Sequence, residues 1–142
     1  MSVNYLAILV AGIAMMIVGS IWYGPLFGKT FIASMGWDKI SKEEQDKMKK
    51  GMIGNYVLQF IFSLVTIWVL AVVLHYFRIV RTDLSGTVAG LHVALLAWVG
   101  FYLPVKCGEK LWTGKMDKML WIDLGHFLVS LVVAGLILGM WK

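Results

Sequence analysis

Three residues of the last apolar stretch, Asp123, His126 and Ser130, recur at helical spacing and fall on one face. In the second stretch Asn55, Gln59, Ser63 and Thr66 lie within about 80° of one another at 100° per residue. Ser20 belongs to the first stretch and His92 to the third. Counted from the span ends that the lysine-rich connections mark as cytoplasmic, Ser20, Asn55, Gln59, Asp123 and His126 all fall in the inner third of the membrane. His92 lies about 16 Å deep, near Ser130, at 1.5 Å per residue. Ionisable groups inside apolar runs are expensive, and they mark ligand, proton or ion paths when they are not simply satisfying one another. Both readings stay open for Asp123 and His126, three residues apart. His92 and His126 raise a further chemistry, bis-histidine haem ligation. Their depths differ by about 7 Å on the same rise, so no haem and no other cofactor or metal is expected. Cys-x-x-Cys, His-Glu-x-x-His, Gly-x-Ser-x-Gly and phosphate-loop signatures are missing, and no residue is assigned a catalytic role. The lone Cys107 supports no disulfide framework.

The elements that must hold these residues follow from composition. Of 142 residues, 60% are hydrophobic and 15% charged, and mean hydropathy is +0.80. Soluble domains carry about 45–50% apolar and about 25% charged residues, so the expected fold class is an all-α integral membrane protein. Four apolar stretches, 4–23, 54–76, 85–103 and 120–141, each reach the ~20 residues that cross ~30 Å of hydrocarbon. They predict four transmembrane helices, arranged as two helical hairpins in a single domain. Tyr5, Trp22, Tyr23, Tyr56, Tyr76, Tyr102, Trp121 and Trp141 cluster near span ends, as interfacial rings do. The first stretch has no basic residue ahead of it and outruns a signal-peptide core, so it reads as a retained helix.

The net charge of +5 is carried mainly by lysines between apolar runs, a membrane-flanking pattern rather than a nucleic-acid footprint. Ten basic residues fall in the first and third connections against three on the opposite side. The positive-inside rule then predicts a bacterial inner-membrane protein with loops 24–53 and 104–119 cytoplasmic and both termini periplasmic. Pro25 and Pro104 are expected to stop the first and third helices. Ser41-Lys-Glu-Glu44 reads as a capping box, opening a short charged helix in the first loop that Gly51 can close. Glu43/Lys47 and Asp46/Lys50 are spaced to pair on it. Phe31, Ile32, Met35 and Trp37 predict an amphipathic interfacial segment just before.

Small residues let helices approach closely in lipid. Gly86, Gly90 and Ala94 form such a stripe on the third span, and Gly135 and Gly139 on the fourth. The polar residues of both spans stand on roughly opposite faces. Two protein-facing sides per helix outnumber the neighbours in a four-helix unit, which predicts a homo-oligomer in the bilayer. A short internal echo also links Tyr23-Gly-Pro25 with Tyr102-Leu-Pro104.

The block Trp22-Tyr-Gly-Pro-Leu-Phe-Gly-Lys29 resembles the bacterial membrane family catalogued as domain of unknown function 1761. Trp98-Val-Gly-Phe101, Asp123-Leu-Gly-His126 and Gly135-Leu-Ile-Leu-Gly139 are similar to it too. The resemblance implies a four-span protein and carries no activity to transfer. The residues themselves favour an oligomeric small-solute or ion transporter or channel. The alternative is an accessory or scaffold protein that packs through its glycine faces.

Overall fold

A computed structural model describes residues 4–114 and 116–141. Lys115 and Lys142, which enter the charge count, lie outside the described residues, as do residues 1–3. The protein is all helical among those described, and four of its helical runs are long and apolar enough to cross a membrane.

The first run begins with α1 (Tyr5–Ile21), whose free amides at Leu6 and Ala7 are capped by the Asn4 side chain at 3.0 and 3.1 Å. Pro25 does not end it. The helix widens into a π turn over Trp22–Leu26, where Phe27 N–H reaches the Trp22 carbonyl at 2.9 Å. A wider turn makes room for the ring that would otherwise strike the carbonyl four residues back. The third run repeats the device. Helix α4 (Gly86–Ala97) passes through a π turn at Trp98–Tyr102 into α5 (Leu103–Thr113), with Pro104 in the first turn of α5, where a missing N–H costs little. Both prolines therefore reshape their helices rather than stop them, which corrects the sequence expectation. Between the first two runs lie α2 (Gly28–Ser34) and a short 3-10 turn at Trp37–Lys39.

The second correction concerns α3. Ser41 does form the capping box: its hydroxyl accepts from Glu44 N–H at 3.3 Å while the Glu44 carboxylate accepts from Ser41 N–H at 3.0 Å. The helix it opens is not short. It runs unbroken from Lys42 to Val80, 39 residues, or about 58 Å at 1.5 Å per residue. Gly51 and Gly54 sit inside it in open space. A glycine weakens a helix interior by only about 1 kcal/mol, too little to break one that continues from a capped, charged start into a long apolar span. The ion pair found on its charged turns is Asp46–Lys49 at 3.8 Å, fully in solvent, instead of the pairs expected.

Helix α6 (Lys118–Met140) completes the set, capped by Asp117. The four long runs form a ring in which α1 neighbours α3, α3 neighbours α4, α4 neighbours α6 and α6 closes back on α1. The α1–α3 and α4–α6 pairs are the two expected hairpins. The core sits towards the end carrying both termini: Ala7, Ala11 and Met15 of α1 meet Ile67, Leu70 and Leu74 of α3, Ala89 and Val93 of α4, and Leu131, Ala134 and Leu138 of α6. There the closest approach is between α4 and α6. A β-carbon on Gly86 or Gly139 would collide with the backbone of the other, and Gly90 and Gly135 are paired in the same way. The two small-residue stripes thus face each other within one chain.

At that end, α3 and α4 are joined by a tight loop in which Arg81 grips Asp83 through two hydrogen bonds of 2.8 Å. These bonds hold the Asp83 carboxyl down at about 2, although both side chains are open to solvent. A depressed carboxyl contributes above its ordinary value and loses its contribution as pH falls through the folded one. We predict that Asp83 titrates near 2 by carbon NMR and returns to the ordinary range in Arg81→Gln. A midpoint near 4 in the parent protein refutes the pairing in solution.

Candidate functional site: an aromatic cleft around Asp123

Away from the core, α3 stands clear. Its buried positions are Ser63, Ile67, Leu70 and Leu74 only, and residues 53–59 are all exposed. The space left between α3, α1 and α6 is a cleft of about 680 Å³. On α3 its lining extends from Met52 to Thr66, a rise of about 21 Å.

The two π turns build the opposite wall. Each begins with a tryptophan whose indole N–H donates to a backbone carbonyl of α6: Trp22 to Ile122 and Trp98 to Leu124, both at 3.0 Å. Residues two apart on a helix sit about 160° from one another around its axis, so the indoles clasp α6 from opposite flanks. Gly125 lies under the Trp22 ring, where a β-carbon would come within 3.1 Å of it.

One residue after Trp22, the Tyr23 hydroxyl donates to Asp123 Oδ1 at 2.7 Å. The His126 ring packs on Tyr23 with centroids 4.9 Å apart and on Trp22 at 6.2 Å. Its Nε2 lies 3.3 Å from the buried Ser130 hydroxyl. Gly19 makes room for the imidazole, since a β-carbon there would stand 3.3 Å from Nε2. Tyr102, at the end of the second π turn, stacks on Phe127 at 3.9 Å.

Of the residues singled out from sequence, Ser20, Gln59, Asp123 and His126 line the cleft together. Ser130 supports His126 from behind. Asn55 is exposed and not part of the lining. His92 is exposed as well, its Nδ1 2.8 Å from the Val88 carbonyl and its ring stacked on Phe77 at 6.4 Å. The two histidines considered for haem therefore belong to different surroundings. The hydroxyls of Ser20, Ser63 and Thr66 bond the carbonyls four residues back, at 2.9, 2.9 and 3.0 Å, and need no other partner.

Sequence reasoning missed Tyr23, Tyr56 and Tyr102, taken as interfacial rings, and the tethering role of Trp22 and Trp98. The usable signal was depth: Tyr23 ends its span at the level where Asp123 begins its own.

A family model described as a protein of unknown function, DUF1761, matches residues 6–139. The chain belongs to this family. The match to DUF1761 covers all four spans and every residue of the cleft. No curated protein and no solved structure matches the chain.

Proposed function

We propose that this DUF1761 protein moves a small solute across a bacterial inner membrane, with the cleft as its binding chamber, open to the cytoplasm. The supporting observation is the cleft itself. It places a carboxylate, an imidazole and a carboxamide, Asp123, His126 and Gln59, on facing walls of helices that elsewhere present apolar side chains. A volume of about 680 Å³ lies inside the range of ~300–1,000 Å³ usual for small-molecule sites. The lysine-rich connections at the cleft end support a cytoplasmic opening.

Water access decides the matter. In a Cys107→Ala background, Gln59→Cys lies in the cleft, and Val57→Cys sits at nearly the same depth outside it. Only a hydrated thiol forms the reactive thiolate readily. A membrane-impermeant thiol reagent added from the lysine-rich side is therefore expected to modify Gln59→Cys at least about tenfold faster than Val57→Cys. Equal, slow labelling means a chamber filled by lipid and overturns the proposal.

A second reading, an accessory protein docked to itself or a larger assembly, is favoured by Asn55 and His92. Both are exposed within spans, where polar groups usually face protein. The glycine stripes no longer argue for it, because each is covered by the other.

A further inference from the structure

We infer that the solute taken by this cleft is a lipophilic organic cation, held by Asp123 and the surrounding ring faces; the inference rests on the chamber reading above. Asp123 is the only Asp, Glu, Lys or Arg among the lining residues. One of its oxygens accepts from Tyr23, and the other is given no donor by the described residues. A lone carboxylate in a low-dielectric wall attracts a cation and repels an anion far more strongly than in water. The rest of the lining is aromatic or soft. Phe31, Tyr56, Phe62, Tyr102 and Phe127 contribute aromatic rings to the lining, and a cation is attracted to an aromatic face. Met15, Met16 and Met52 add polarisable side chains that adapt to irregular apolar shapes.

The same lining disfavours a bare metal ion. Among the described residues no group of three or more His, Cys, Asp and Glu side chains could hold one. A single carboxylate amid rings does not replace the six to eight oxygens a hard cation requires. An organic cation keeps its charge within an apolar shell, which is what these walls complement.

Tetraphenylphosphonium and tetraphenylborate have the same shape and opposite charge, and binding of each to the purified full-length protein tests the inference. Tetraphenylphosphonium is expected to bind at least about tenfold more tightly than tetraphenylborate, and Asp123→Asn is expected to erase that preference. Gln59→Lys, which places a cation in the cleft without touching the Tyr23–Asp123 pair, should weaken tetraphenylphosphonium to a similar degree. It stands in for Asp123→Asn if that variant does not fold. Equal binding of the two ions, or a preference that survives both substitutions, overturns the cationic class and leaves the chamber standing. Absence of tetraphenylphosphonium binding while Gln59→Cys still labels also overturns the class alone. Failure of that labelling removes the chamber and the inference together.

Discussion

Gly135→Ala is expected to destabilise the protein by about 1–3 kcal/mol, the usual result of forcing a methyl group into a filled interface. The added carbon meets the Gly90 carbonyl and the Ala94 methyl group. A flexible side chain could swing away, but a helix backbone cannot, so α4 and α6 must separate along their length. Gly90→Ala meets Gly135 in the same way, and Gly90→Leu should prevent the pair from forming. Gly51→Ala supplies the contrast. Nothing lies near that position on α3, so the same methyl group only raises helix propensity and stabilises by up to about 1 kcal/mol. Denaturant titration in mixed micelles reads both. The expected result is opposite signs for one chemical change; Gly135→Ala as harmless as Gly51→Ala would show that the two backbones do not touch.

The second large effect belongs to the Tyr23–Asp123 hydrogen bond. A bond to a charged acceptor is worth about 1.5–3 kcal/mol, and this one joins the first π turn to α6 at 2.7 Å. Tyr23→Phe keeps the ring against His126 and Phe31 while removing the donor, so stability should fall within that range. Asp123→Ala removes the acceptor altogether and leaves the Tyr23 hydroxyl without it. In a double-mutant cycle the two changes should be non-additive by about 1 kcal/mol or more, as expected for residues in direct contact. Additive losses would mean that the hydroxyl and the carboxylate act independently.

Much of this architecture is legible in the residues. Four stretches of apolar side chains are each long enough to cross a membrane, and the polar and small faces follow from helical periodicity. Periodicity assigns each face an angle on its own helix and is silent on which neighbour it meets. Hence Gly86, Gly90, Gly135 and Gly139 read as surfaces in need of partners, although they are each other's partners. Hence also Asn55 and Gln59 read alike, although only Gln59 lines the cleft. Pro25 and Pro104 show a different limit. Proline predicts that the α-helical bond pattern must yield, but a stop and a π turn satisfy that requirement equally. Packing selects the turn, because Trp22 and Trp98 can then reach the α6 carbonyls. Gly51 misleads by the opposite route, since its penalty of about 1 kcal/mol is too small to break a helix that the charged turns before it and the apolar span after it both extend.

The unbroken length of α3 has a mechanical consequence. The fully buried positions of α3 run from Ser63 to Leu74, about 16 Å of rod, whereas Lys42 lies about 31 Å beyond them at 1.5 Å per residue. Such a helix is a lever whose fulcrum is the core and whose long arm forms one side of the cleft. A tilt of a few degrees at the fulcrum displaces the lysine-bearing tip by several times the movement at Leu70. The tip carries Lys42, Lys47, Lys49 and Lys50 interleaved with Glu43, Glu44 and Asp46, a charge-laced face suited to water rather than to hydrocarbon. The width of the cleft is thereby tied to the angle that α3 makes at its core contacts, far from the cleft mouth.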